Sequence, residues 1–223
     1  MSAPEELYAG GMCASYGLDP RFTERDYVDA VDADLLQKLR GWAEENADET
    51  LRPTGKNKRN LNPLIVSSGG APTLELAWWG YLVDGEPAKF PSINSRSERL
   101  RDRPAALRSR AIVPATRWFE MQKPSRTWHS FAAEDDGLLG MAAVTRPGRT
   151  SDGAEFTCYS IIMRPGLERH AGVHERMPLL IPAGFAPEWL SGDAPAQDLI
   201  DAALGAASAE DQRIRARPMT GRP

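Results

Sequence analysis

Few side chains in this 223-residue sequence can do chemistry: two cysteines, Cys13 and Cys158, and three histidines, His129, His170 and His174. Two thiols build neither a disulfide framework nor, unaided, a four-sulfur zinc site, so both read as reduced. Cys158 stands between Thr157 and Tyr159 in a strand-like run and fits the common fate of a free cysteine, burial as a small apolar residue. Cys13 lies in "GGMCASYGL", which has neither helical nor strand period. It is either buried in the same way or a nucleophile, which needs a base or an electropositive setting to lower its pKa. His129, beside Trp128 and Phe131, reads as a packed or surface histidine. His170 and His174 have the four-residue spacing of a helical metal pair, but Gly172 and Pro178 oppose a helix and no cysteine or carboxylate cluster completes a ligand set. Neither metal nor cofactor is expected. Glu120, in "RWFEM", reads as the solvent-facing member of an alternating strand; the other reading is a buried acid with a raised pKa, fit for proton transfer.

The elements that must hold these groups follow from periodicity and punctuation. Val28, Val31, Leu35, Leu36, Leu39 and Trp42 recur at spacings of three and four, which predicts an amphipathic helix over 26–46, interrupted at Gly41. "TLRPTGKNKRNLNP" (50–63) is rich in turn formers and reads as a loop into a short strand at Leu64-Ile65-Val66. "SSGGAP" is a tight turn, and "TLELAWWGYLV" a strand ending at Asp84-Gly85. A short helix over 98–110 breaks near Pro104 and leads into one strand, "AIVPATRWFEM", whose internal proline argues for an edge or a bulge. "TWHSFAAE", "GLLGMAAVTR" and "EFTCYSIIMR" are further strands divided by Asp-Gly and Pro-Gly turns, the rhythm of antiparallel sheet. After residue 194 come one helix and a loose, proline-ended tail.

Composition narrows the function classes. No apolar run approaches the roughly 20 residues of a membrane helix, and the acidic start "MSAPEELYAG" lacks the marks of a secretory signal, so a cytoplasmic protein is expected. Charge is unevenly distributed: residues 1–50 carry twelve acids against four bases, residues 94–126 eight arginines and one lysine against three acids. A basic stretch is commonly a solvated face, yet arginine's planar fork suits phosphate well. "INSRSE" (93–98) opens that stretch and by itself reads as a turn.

Four separated segments, in order, resemble the SOS response-associated peptidase (SRAP) family of DNA-damage proteins. They are Met12-Cys13 with Tyr16 three residues on, "INSRSE", "VPATRWFEM" (113–121) and "VHERMP" (173–178). "NLNP" (60–63) and Trp79-Gly80 add weaker matches. The resemblance covers about residues 12–191, with 1–11 as an extension and 192–223 as a C-terminal helix and tail. It implies a single α+β domain, an antiparallel, barrel-like β core flanked by short helices, acting as a monomer on single-stranded DNA that carries abasic sites. By the same resemblance Cys13, as a mature N-terminus, forms a thiazolidine with the sugar aldehyde. Glu120 is then the acid/base, His174 assists ring opening or reversal, and Asn94 positions nucleophile and sugar. Arg96 and Arg176 hold phosphates, and Trp79, Asn60 and Pro63 lie along the DNA. Ala14-Ser15 replace the family's Gly-Arg, and Met121 stands where an aromatic residue is common, which marks a divergent member.

Twelve residues precede Cys13, so removal of Met1 alone leaves its nitrogen in a peptide bond with Met12. A translation start at Met12 is the reading adopted; self-cleavage between Met12 and Cys13 and loss of the amine chemistry are the alternatives. Two other functions compete: a DNA-binding module without covalent chemistry, and a hydrolase using Cys13 and His174.

Overall fold

The computed structural model describes residues 15–23, 33–46, 50–53, 60–83, 86–87, 92–149 and 152–223. Thirteen strands and four α-helices lie within them. The strands are β1 (Tyr16–Gly17), β2 (Leu61–Ser68), β3 (Ala71–Trp79), β4 (Leu82–Val83), β5 (Glu86–Pro87), β6 (Asn94–Arg96), β7 (Arg110–Ala115), β8 (Arg117–Met121), β9 (Trp128–Ala133), β10 (Leu139–Arg149), β11 (Glu155–Pro165), β12 (Arg176–Pro178) and β13 (Ile214–Pro218). The helices are α1 (Ala33–Glu45), α2 (Ser97–Arg101), α3 (Ala186–Ser191) and α4 (Ala196–Arg213).

Five strands close into a barrel in the order β10-β7-β2-β3-β11, with β11 pairing back onto β10. Every seam is antiparallel except β3–β11. Alternation along each strand divides the core. Leu64, Val113 and Ile161 face the interior with Trp79 and Tyr159, while Ile65, Ile112 and Ile162 face outward, under α1 and α4. A second, four-stranded antiparallel sheet, β1-β8-β9-β13, sends Trp118, Phe131 and Ile214 into the interior cluster. The expected α+β domain with a barrel-like core is the fold observed. No helix of the described residues is long and apolar enough to cross a membrane.

Several local expectations differ from the structure. Gly41 does not interrupt α1, because the helix is held by its buried face, Leu35, Leu36, Leu39 and Ala43. That burial outweighs the roughly 1 kcal/mol a helical glycine costs. Residues 26–32 of the expected helix and the Asp84-Gly85 turn lie outside or largely outside the described residues. "AIVPATRWFEM" is two strands in two sheets, and Thr116 is the corner: its N–H donates to the Gly17 carbonyl at 2.8 Å, while its Oγ1 accepts from Asp19 N–H at 3.0 Å.

Leu61, Asn62 and Pro63 of "NLNP" belong to β2 rather than to a loop, and Asn60 directly precedes the strand. The β2–β7 ladder pairs Ile65 with Ile112 and Val66 with Ala111. Continuing that register would set Pro63 opposite Pro114, two residues with no N–H to give, so the ladder ends there. The C-terminal tail is not loose. As β13 it pairs with β9 from Ile214↔Ala133 to Pro218↔His129, and Ile214 is fully buried.

Candidate functional site

The site grows from two strands that end beside each other. β3 leaves β11 at Tyr159, and β6 takes its place from Ile161. The handover needs Gly80: its φ of +96° belongs to glycine, and an added Cβ would lie 3.2 Å from the Ile93 side chain. The Ile93 carbonyl then accepts two hydrogen bonds, from Trp79 Nε1 at 3.0 Å and from Ile161 N–H at 2.9 Å. These bonds fix the start of "INSRSE" as strand rather than turn, with Asn94 opposite Ile161 and Arg96 opposite Met163. Residues opposite each other share a face, so Asn94 and Arg96 look the same way as Ile161 and Met163, toward the interior cluster that holds Trp118 and Phe131. Arg176, opposite Pro165 on the other edge of β11, shares that face.

Glu120 comes to the same region from the second sheet. Trp118 and Phe131 stack with centroids 5.1 Å apart across β8–β9, and Glu120, two residues on, points to the same side. It is 3 % exposed, so the solvent-facing reading is corrected: β1 and β9 flank β8, and the barrel covers this face. Burial pushes its carboxyl well above the ordinary glutamate value, which keeps it neutral more readily than an exposed acid. Its Oε1 is buried without a hydrogen-bond partner among the described residues.

His174 faces this carboxyl, with Nε2 3.8 Å from Glu120 Oε2. A 3-10 turn at Glu168–His170 precedes it, and the His170 carbonyl accepts from Val173 N–H and His174 N–H at 2.9 and 3.2 Å. Nδ1 of His174 lies 3.0 Å from the Arg176 carbonyl and 3.1 Å from the Arg176 amide nitrogen. One backbone residue can therefore anchor either tautomer while Nε2 is turned toward Glu120. His170 turns elsewhere, edge-on to Phe131 at 5.4 Å, so the two histidines are not a metal pair. Among the described residues no group of three or more His, Cys, Asp or Glu is placed to hold a metal ion.

The remaining candidates fall into different places. Arg96 is exposed. Arg176 Nη1 donates to both oxygens of Glu98, at 2.7 and 2.9 Å. Partial burial alone would raise the Glu98 carboxyl, but the Arg176 bond and charge outweigh it and hold the group below its ordinary value. Trp79 is fully buried between Tyr16 and Tyr159, and Pro63 is buried, so neither offers a face to DNA; both support the scaffold. Asn60 Nδ2 donates to the Pro53 and Trp79 carbonyls at 3.0 and 3.2 Å, which ties β2 to the end of β3. Cys13 lies outside the described residues; Ser15, two positions on, accepts from Phe119 N–H at 3.1 Å, beside Glu120.

Two residues that sequence reasoning passed over also belong here. Glu98 was legible only as part of "INSRSE", where a carboxylate near arginines is the signal for an ion pair. Gln122 gave no signal. Its Nε2 donates to the Gly172 carbonyl at 2.8 Å and its Oε1 meets His129 Nε2 at 3.1 Å, so it clamps the segment carrying His174 to the β8–β9 hairpin.

The chain is similar to known proteins in sequence and in fold. The model of the SOS response associated peptidase family matches residues 12–221. Abasic site processing protein YoaM of Bacillus subtilis (strain 168) is 24% identical over 158 residues, 66% of this chain and 69% of that protein. Abasic site processing protein YobE of the same organism is 23% identical over 158 residues, 66% and 72% of the two chains. In fold, the chain is similar to the crystal structure of a protein from Bacteroides thetaiotaomicron, with a TM-score of 0.71 at 18% identity over 94% of this chain and 93% of that one. It is similar also to a phage-related protein from Bordetella bronchiseptica, with a TM-score of 0.63 at 19% identity over 94% and 95%. A family match across this much of the chain, on a barrel and second sheet that bring Glu120 and His174 face to face, shows that the protein belongs to the SOS response associated peptidase (SRAP) family.

Proposed function

We propose that this protein processes abasic sites in single-stranded DNA by forming a thiazolidine crosslink through Cys13. The observation that carries the reading is the buried Glu120 carboxyl facing His174 at 3.8 Å, on the side toward which Asn94, Arg96 and Arg176 look. Chain connectivity supports it: two residues span at most about 7 Å, so Cys13 is tethered close to Ser15, whose carbonyl is bonded to the neighbour of Glu120.

In the reaction, the α-amine of Cys13 attacks the aldehyde carbon of the opened sugar, giving a carbinolamine. A neutral Glu120 donates a proton to its hydroxyl, which leaves as water as the C=N bond forms. The Cys13 sulfur then adds to the C=N carbon, the nitrogen takes up a proton, and a five-membered ring results. His174 exchanges protons with Glu120 and with the sugar hydroxyl during ring opening. Arg96 and Arg176 pair with phosphates beside the lesion, Arg176 by releasing or sharing Glu98. The amine must be free, which requires Cys13 to be the mature N-terminus, through a start at Met12 or hydrolysis of the Met12–Cys13 bond.

The test is to incubate protein beginning at Cys13 with a single strand containing one abasic site. A heat-stable, slow-migrating adduct is expected, absent with Cys13→Ala. No adduct, or one that survives Cys13→Ala, refutes the chemistry and leaves non-covalent DNA binding as the function to be measured.

A further inference from the structure

His129 lies directly opposite Glu120 in the β8–β9 register, two pairs along from the Trp118–Phe131 stack and so on the same face. Its tautomer follows from its neighbour. Gln122 Nε2 is committed as a donor to the Gly172 carbonyl, so the amide oxygen is what meets His129 Nε2 at 3.1 Å. A carbonyl oxygen only accepts, so Nε2 carries the proton and, in the neutral ring, Nδ1 carries a lone pair. That Nδ1 is buried and has no hydrogen-bond partner among the described residues. Glu120 Oε1, on the facing side chain, is buried and unpartnered in the same way, while Oε2 looks to His174. Two orphaned polar atoms on facing cross-strand positions are costly unless something small and polar bridges them.

We propose that Glu120 Oε1 and His129 Nδ1 together form a binding position for one hydroxyl group: a water molecule or a hydroxyl of the sugar adduct. The occupant donates a hydrogen bond to the His129 lone pair and pairs with the Glu120 carboxyl through its oxygen. Opposite His174, this places a second polar wall on Glu120. When the carbinolamine hydroxyl takes the Glu120 proton and leaves, the departing water is received by His129 rather than by apolar neighbours. His129 is thus a positioning residue for the released water; the catalytic consequence rests on the crosslinking reading, whereas the binding position itself does not.

The experiment has two arms on protein beginning at Cys13. A high-resolution crystal structure of the free protein shows an ordered oxygen within hydrogen-bond distance of both atoms if water is the occupant. If the position fills only in the abasic-strand complex, the occupant is the sugar hydroxyl; if it fills in neither, the proposal falls. In solution, the infrared band of the protonated Glu120 carboxyl, assigned by its loss in Glu120→Gln, should shift upward in His129→Phe and return partly in His129→Gln, whose amide oxygen again accepts. Should His129→Phe not fold, His129→Leu, smaller and equally unable to accept, takes its place, and the band should again shift upward. A carboxyl band indifferent to the loss of the His129 acceptor overturns the proposal. With crosslinking active, His129→Phe should slow adduct formation roughly five- to tenfold, the loss of about one hydrogen bond in the transition state.

Discussion

Replacing Glu120 by Gln tests the electrostatic basis of the site without any substrate. The side chain is 3 % exposed, and burial raises its folded-state pKa above the ordinary 4.5 expected in the unfolded chain. Below that ordinary value both states are protonated, and the group adds no pH dependence. As pH rises past it, the unfolded carboxyl ionises while the folded one stays neutral, so the folded state binds more protons and loses stability relative to the unfolded chain. The loss amounts to about 1.4 kcal/mol for each pH unit until the folded carboxyl ionises in its turn. Glu120→Gln keeps the shape and removes the titration. Urea unfolding of both proteins from pH 4 to pH 8 at fixed ionic strength should show the variant gaining on the wild type with that slope above the unfolded value, because groups common to both cancel in the difference. A stability difference that stays flat across the range would refute the reasoning: Glu120 would then titrate as an exposed acid, and a neutral donor at this position could not be sustained.

Other substitutions probe the scaffold and the DNA face. A Cβ at Gly148 would sit 2.5 Å from Cys158 Sγ and 2.9 Å from the Phe156 ring, so Gly148→Ala should cost about 1–3 kcal/mol in chemical denaturation, and Cys158→Ala in the same chain should restore part of it. Tyr159→Phe removes the hydroxyl that meets Tyr16 Oη at 3.0 Å and Asn62 Nδ2 at 3.2 Å, and should destabilise by about 1–3 kcal/mol; an unchanged urea midpoint would count against the network. Truncation after Arg213 removes β13 and the fully buried Ile214, with an expected loss of at least about 2 kcal/mol seen as a lower Tm. On the proposed substrate, Arg96→Ala should weaken single-strand binding and flatten the slope of log K against log salt by about 0.7, one phosphate contact; an unaltered slope would remove Arg96 from the DNA face.

Much of the site was legible because its residues occupy ordered segments, and much was not, because burial is decided by neighbours far away in sequence. "RWFEM" shows a carboxylate in a strand, but whether position 120 faces water depends on β1 and β9 flanking β8 and on the barrel packing over one face. The resemblance sets Trp79 along the DNA, whereas Tyr16 and Tyr159, 143 residues apart in sequence, enclose it. Gln122 carries no signature at all and His129 reads only as packed or surface; the Gln122 amide joins His129 to a backbone carbonyl at Gly172, fifty residues on from Gln122.

What the sequence by itself determined is the set of local decisions: the helix face of Leu35, Leu36 and Leu39, the Gly69-Gly70 turn with both residues at positive φ, the strands on either side of it, and the residue types available for chemistry. These depend on period, turn chemistry and composition, which are properties of neighbours in the chain. Only the tertiary structure decided that "AIVPATRWFEM" divides between two sheets at Thr116, that Pro63 and Pro114 end one seam of the barrel, that the C-terminal residues complete the second sheet, and that Glu120 meets His174. Pairing partners and burial are set by contacts between distant segments, and it is burial that turns an ordinary glutamate into an acid able to hold its proton.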